Sequence, residues 1–484
     1  MTTPTFKLSP AVIFGAVMAA ILGNVLNAEA MPMFARKLGV QCNFCHTTIP
    51  RLNEVGYKFR SAGFRLTSNI GKPEERGFEL GDYFSGRIQA RYDTQVTNQP
   101  NGAPVANVIG GVAGPRVTTN AFSFMEFTAY PLTGSLGKYF SSLAELSFSP
   151  EDFMEVENAY LRFNYGNQDR FWSVRGGVFH PWEGFGASDR PFSNARPLFQ
   201  TNPISAGGRS IPYVYQPWGL DEVGAEFGGD INKLSLRAAI LGGTFLKWDA
   251  DANAFLPFPA QTGPWKGANQ AIAALGKPFN FTGHNMPDYS LNATYILQPD
   301  GGGISLIYYR GNVATPTACT DGTPIGATNA VTKEVCGVTA ASAAAPYGTV
   351  GNTDFDFSAP VAFRNNFDRY AGYASYPLGK HFLPQGGFNY GRDANPNGTK
   401  FDSKGAFAEG AYSFNEYVTA GLRYDWFRPR YPALNTQWAV TPYANIPLQN
   451  GIQFIAEYQH RDFQLNATNH RQNDTLQVRL IFIR

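Results

Sequence analysis

Cys42-Asn43-Phe44-Cys45-His46 is the stretch of this sequence whose residue types and spacing carry an evident chemistry. Two thiols three positions apart, followed at once by a histidine, form the C-x-x-C-H haem-attachment pattern. The spacing has a physical reason. On one helical turn both sulfurs can add to the vinyl groups of a single porphyrin, and the adjacent imidazole can project at the iron as an axial ligand. A bare C-x-x-C leaves a thioredoxin-like redox pair open, but no βαβ pattern surrounds this one. Zinc would need two further ligands, and no other Cys or His follows within the next thirty or so residues. The pattern occurs once, so the implied cofactor is one covalent haem c. Cys42 and Cys45 attach it and His46 is the proximal ligand.

The distal ligand is harder to place. Soluble one-haem cytochromes usually carry a Met downstream of the haem motif, yet residues 47–124 contain neither Met nor His. The candidates are Met31 and Met33 upstream, or Met125, Met154, His180 and Met286 in the later region. A methionine taken singly is more often packing than ligand; Met33 is the reading adopted. The other cysteines, Cys319 and Cys336, lie in an Ala/Thr/Gly/Val stretch without strand periodicity. In an oxidising compartment such a pair staples a long loop as a disulfide. Glu151, Asp152, Glu155 and Glu157 form the densest acidic cluster, and their hard oxygens suit a hydrated ferrous ion. The plainer alternative is a lumen or loop patch that balances inward arginines. No acid–base pair, nucleophile triad or phosphate loop stands out, so hydrolysis has no support.

These residues need elements to hold them. Residues 31–66 read as a small cytochrome module with two short helices, in which Leu52, Val55, Phe59 and Phe64 make the apolar stripe, Pro50 suits a first turn and Gly63 ends the helix. So few residues seldom form a stable domain without a metal, a staple or a partner. The module is also basic, with Arg36, Lys37, Arg51, Lys58, Arg60 and Arg65 against Glu54. Before it, Lys7, the apolar run Ala11 to Val25 and the small-residue pattern Ala28-Glu29-Ala30 make residues 1–30 an export signal. After it, residues 67–81 are polar and contain Gly71-Lys72-Pro73, a linker.

Residues 82–484 read as strands. Phe84, Gly86, Ile88, Ala90 and Tyr92 share one face, while Ser85, Arg87, Gln89, Arg91 and Asp93 share the other. The alternation recurs at Leu422 to Trp426, Ile452 to Gln459 and Thr475 to Phe482. Ten-residue alternating segments with aromatic ends are the mark of a transmembrane barrel. Aromatic residues make up 14% of the chain and charged residues 16%, which excludes disorder, and the net charge of +2 gives no reason to expect nucleic acid as a partner. Beyond the N-terminus no apolar run is long enough for a membrane helix. About 400 residues at roughly 50 per hairpin give about 16 strands. The fold expected is therefore all-β, an outer-membrane antiparallel barrel with a small α-helical cytochrome module plugging its lumen. Inward Asp93, Asp425 and Glu457 would meet the basic module.

Two segments carry a family likeness: Met31-Pro32-Met33-Phe34-Ala35-Arg36-Lys37-Leu38-Gly39-Val40-Gln41 before the haem motif, and Pro50-Arg51-Leu52-Asn53-Glu54-Val55-Gly56-Tyr57-Lys58-Phe59-Arg60 after it. They resemble the fused one-haem cytochrome–porins of the outer membrane of iron-oxidising bacteria. Glu157-Asn158-Ala159-Tyr160-Leu161 and Gly176-Gly177-Val178-Phe179-His180-Pro181 are similar to porins of the phosphate-selective type. The resemblance implies oxidation of extracellular Fe(II), the electron passing through one haem to a periplasmic c-type cytochrome or copper protein, with outer-membrane lipid around the barrel. Two other functions use the same parts: a diffusion porin whose haem module is a structural plug, and a reductase sending electrons outward.

Overall fold

The structure is a computed structural model of the chain. It describes residues 32–48, 51–73, 79–98, 116–148, 155–181, 197–200, 222–241, 287–319, 321–336, 361–394, 400–415, 418–428, 436–449, 451–464 and 470–483, together with the short paired segments 205–206 and 209–210, 246–249 and 254–257. Residues 1–31, with the export signal and Met31, lie outside them, as do Pro50, Met154 and Met286.

Sixteen long strands close into one barrel. The first eight are β1 (Ser85–Asn98), β2 (Arg116–Tyr130), β3 (Phe140–Phe148), β4 (Glu155–Gly166), β5 (Arg170–Phe179), β6 (Glu222–Ile231), β7 (Leu234–Leu241) and β8 (Asp288–Gln298). The rest are β9 (Gly302–Pro316), β10 (Val361–Ser375), β11 (Phe382–Ala394), β12 (Lys400–Ser413), β13 (Thr419–Arg428), β14 (Gln437–Gln449), β15 (Ile452–Gln464) and β16 (His470–Ile483). Each pairs antiparallel with the next, and β16 pairs with β1 from Gln472–Asn98 to Ile483–Arg87, which seals the ring. Connections are short at one end (167–169, 232–233, 299–301, 450–451) and long at the other (180–221, 242–287, 317–360).

Burial along the strands decides what surrounds the ring. In β7, Leu234, Leu236 and Ile240 are exposed while Ser235, Arg237 and Leu241 are buried. In β13, Leu422 and Tyr424 face out, and Arg423 and Asp425 are fully buried. A soluble sandwich would turn its polar residues to solvent. Here the apolar face looks outward, an arrangement that lipid alone solvates.

The N-terminal module sits in the mouth at the short-turn end. It comprises α1 (Pro32–Leu38), the tight turn Cys42–Phe44, the strand pair His46–Thr48 with Arg51–Leu52, and α2 (Glu54–Ser61). Asn53 caps α2 by accepting from the Gly56 N–H at 2.9 Å, so Leu52 falls outside the helix and Val55 lands on its exposed side. The stripe expected on Leu52, Val55 and Phe59 is thus Tyr57 and Phe59, while Leu52 packs with Tyr57 on Ile296 of β8. The chain leaves α2 through Gly63 at φ +72°, pressed so closely on Ser141 and Asn164 of the wall that a Cβ would clash. The segment read as a linker begins as part of this plug. Ile70 is buried with Ala62 and Phe171 of β5.

Arginines join plug to wall. Arg162 of β4 donates to the carbonyls of Arg60 (2.9 Å) and Ser61 (3.0 Å) at the end of α2, the first of which also accepts from the Gly63 N–H. Arg237 of β7 donates to Ser61 Oγ at 2.8 Å. In the other direction Arg65 reaches the carbonyls of Gly137 and Lys138, and Arg51 that of Gly301. Apart from the one to the Ser61 hydroxyl, these bonds run from guanidiniums to main-chain carbonyls, and the Glu409 carboxylate acts on Arg51. Burial pushes the Arg51 guanidinium down to about 10 while Glu409 acts to raise it, so at neutral pH it is still a cation.

Replacing Arg162 and Arg237 together by Met, with Asp230→Asn so that the carboxylate Arg237 holds at 3.2 Å is not stranded, should loosen the plug and leave the ring intact. At about 1.5–3 kcal/mol for each bond to a charged donor, the docking equilibrium shifts at least tenfold. Planar-bilayer recordings of the full chain should show more frequent open events, and the segment 67–83 should become a protease site. Unchanged conductance and unchanged cleavage would refute this role for the two arginines.

Candidate functional site

Asn53 organises the haem-motif turn. Its main-chain N–H donates to the Cys45 carbonyl at 3.0 Å, and its side-chain amide donates to the carbonyls of Phe44 (3.0 Å) and Asn43 (3.4 Å). The same side chain caps α2, so one residue fastens the Cys42–Phe44 turn to the helix start. Gly56 makes the approach possible, because a Cβ there would lie 2.1 Å from the Cys45 carbonyl oxygen. The turn is a single 3₁₀ turn, and His46 follows it in extended chain, paired with Leu52. Cys45 is a thiol and is partly exposed, as is His46, while Asn43 and Phe44 lie open at the mouth.

Behind the turn stands an aromatic wall. Phe34 of α1 stacks on Phe64 with ring centroids 5.1 Å apart and meets Phe59 edge-on at 5.2 Å. Met33 is fully buried in α1. Lys37 ties α1 to the barrel through Tyr83 Oη (3.2 Å) and Ser135 Oγ (3.3 Å). Cys42, Cys45 and His46 are thus the residues that could hold a haem, with Met33 on the same module. Asn53 and Gly56 were missed at the level of sequence. The signal for Asn53 was there in the pattern of a capping side chain just before an acidic first turn.

The acidic cluster does not form one described group. Glu151 and Asp152, and the side chain of Glu155, lie outside the described residues. Glu157 falls at a register shift between β3 and β4, where Asn158 pairs with Glu145 and Val156 with Leu146. It accepts from Ser147 Oγ at 2.7 Å. Nearby on the lumen wall Arg87 binds Glu126 at 2.6 Å and lies 3.9 Å from Glu145. Among the described residues no three His, Cys, Asp or Glu side chains converge on a point that could hold a metal ion.

Above the plug the lumen wall turns apolar. Tyr160, Phe179, Leu241, Ile307, Tyr309, Phe367, Phe401, Phe407 and Phe427 point inward and pack into one cluster. Two in-folded pieces of chain complete it. The turn Leu198–Gln200 brings Leu198 and Phe199 against Phe407, its Leu198 N–H donating to Asp425 at 3.3 Å. Cys319 and Cys336 are bonded, with Cα atoms 5.9 Å apart, and both are buried in the same cluster. Dry ion pairs flank it: Arg175–Glu226 (2.8 Å), Arg369–Asp393 (2.9 Å) and Arg423–Asp425 (2.7 Å), with Asp393 opposite Phe401 and Asp425 opposite Phe407.

A closed ring, apolar outside and charged within, has one solvent. The chain is an outer-membrane β-barrel. No protein-family model and no curated protein matches it. Among solved structures it resembles the outer membrane channel DcaP of Acinetobacter baumannii (9% identity, TM-score 0.45, covering 86% of this chain and 100% of that one). It also resembles OprB of Pseudomonas putida (9%, 0.46, 82% and 94%) and an anion-selective porin from Comamonas acidovorans (9%, 0.45, 82% and 98%).

Asn53→Ala removes the cap and both amide bonds to the turn, worth about 1–2 kcal/mol. Hydrogen exchange at residues 43–48 of the full chain should speed up roughly tenfold, and Gly56→Ala, which forces the helix off Cys45, should do more. Equal exchange in wild type and both variants would show that the turn is held by something else.

Proposed function

We propose that this chain is an outer-membrane electron-transfer protein whose lumenal plug carries one covalent haem. The observation that supports it is the Cys42-to-His46 turn, pinned by Asn53 and seated in a plug that the barrel wall grips. The donor set suits the group: Cys42 and Cys45 would carry the thioether bonds, His46 would ligate the iron, and Met33 is the candidate for the opposite side. When bound, such a group accepts and returns one electron at a time. The rest is done by the chain. Phe34, Phe59 and Phe64 keep water out of the module interior. Arg162 and Arg237 fix its seat. Exposed Gln41, Asn43 and Phe44 leave the turn edge accessible to a redox partner docking at the short-turn mouth.

The finer assignment follows the resemblance. The donor is extracellular Fe(II), and the acceptor is a periplasmic c-type cytochrome or copper protein. The hydrocarbon core is about 30 Å thick, so one haem cannot bridge it alone and the donor must enter the lumen from the long-loop side. A second reading, a diffusion porin with the module as plug, is favoured by the sixteen-strand ring, a size that encloses an aqueous channel in barrels generally. The packed apolar layer above the plug weighs against a wide one.

Two measurements on the purified full chain separate the readings. Haem should stay bound through denaturing electrophoresis and be lost in Cys42→Ser/Cys45→Ser, and Fe(II) should reduce it in stopped flow while bilayer conductance stays small. Large steady conductance with no covalent haem would establish the porin and end the electron-transfer reading.

A further inference from the structure

On the outer face of β9 to β13, between five and eleven residues up from the short turns, the strand registers build two transverse rows. The lower row runs Tyr308, Tyr370, Tyr390, Lys404 and Arg428, each directly opposite the next. The upper row runs Arg310, Asp368, Arg392 and Asp402. Their inward neighbours, Tyr309, Phe367, Arg369, Asn389 and Ser403, are buried, so both rows face away from the lumen.

The tyrosines form a shelf, with Tyr308–Tyr370 ring centroids at 5.1 Å and Tyr370–Tyr390 at 6.2 Å. Cations stand on it. Arg392 lies over the Tyr390 ring at 5.5 Å and donates to its hydroxyl at 3.2 Å, and Lys404 lies 5.7 Å from the same ring. Asp368 accepts from Tyr308 Oη at 2.7 Å and sits 3.9 Å from Arg310; Asp402 lies 3.5 Å from Lys404. The two carboxylates therefore hold the shelf and leave a net positive charge, with Arg310, Lys404, Arg392 and Arg428 all exposed. Directly beneath, exposed Leu306 and Phe388 face the hydrocarbon, and exposed Leu291 stands beside Tyr308 in the lower row.

We propose that this patch binds the phosphorylated headgroup of a lipid in the leaflet on the long-loop side. The chemistry is complementary at each level. Acyl chains lie on Leu306 and Phe388, the tyrosine hydroxyls mark the interface, and the guanidiniums and ammonium above them receive phosphate oxygens in forked, charge-assisted bonds. A bare aromatic girdle needs no cations, and a patch meant for water alone needs no apolar floor. The site lies outside the lumen and is independent of the haem reading.

The test uses the full chain in detergent, with diphosphorylated lipid A as probe and native mass spectrometry as readout. One lipid per barrel should remain bound, with affinity falling about a hundredfold in Arg310→Gln/Arg392→Gln/Lys404→Gln and for wild type offered the dephosphorylated lipid. Equal binding by the triple variant, or equal binding of the dephosphorylated lipid, overturns the proposal. So does displacement by excess inorganic phosphate alone, which would make this a free-anion site. A change of oligomeric mass in the triple variant with lipid content unaltered would assign the patch to a second copy of the chain and overturn it too.

Discussion

In hydrocarbon there is no water to satisfy a peptide group, and each unpaired N–H or C=O costs several kcal/mol. The residue patterns of this chain supply strands and not long apolar helices, so every strand must find a neighbour on both sides. The register from β16 to β1 is therefore the closure on which the rest depends. Closure fixes the inside from the outside. With period two, each exposed Leu, Phe or Tyr puts its neighbour in the lumen, and the interior becomes a cylinder that must itself be filled or wetted.

The cylinder is filled in layers. At the short-turn mouth, a guanidinium from the wall binds helix-end carbonyls, and the plug's own arginines answer on turn carbonyls. In the middle, Arg and acidic side chains pair out of reach of solvent. Such pairs gain little net stability, since desolvation offsets most of their attraction, but an unpaired member would be costly. They therefore discriminate: a plug or loop seated wrongly would strand a buried charge. Beside them the apolar cluster needs Leu198, Phe199 and the Cys319–Cys336 staple to complete its packing.

The module rests against the barrel wall. Its core is a few aromatic rings, and its outer surface is shared with Ile296, Phe171 and the β2–β3 turn. What it does define by itself is the turn. One asparagine serves two purposes, capping α2 and gripping three carbonyls of the haem motif, and one glycine lets the helix come close enough for this. The geometry of the motif is local, whereas its position is set by the barrel.

Read alone, the sequence determined whatever depends on nearest neighbours. The alternation Ser85 to Asp93 assigned faces and chain length gave a strand number near sixteen, while the spacing of Cys42, Cys45 and His46 is the ground of the haem proposal. Tertiary structure decided what depends on distant partners. Ile307-Tyr308-Tyr309 is apolar on both faces, so period alone does not reveal that Tyr309 builds an inner layer while Tyr308 builds an outer shelf. Val55 looked like core until the Asn53 cap set the helix phase. Of the acidic run 151–157, Glu157 accepts from Ser147 across the strand pair, while Glu151, Asp152 and the Glu155 side chain lie outside the described residues. Contacts between residues more than two hundred positions apart, such as Arg51 with Gly301 or Leu198 with Asp425, exist because the ring closes, and closure leaves no mark on any short stretch of chain.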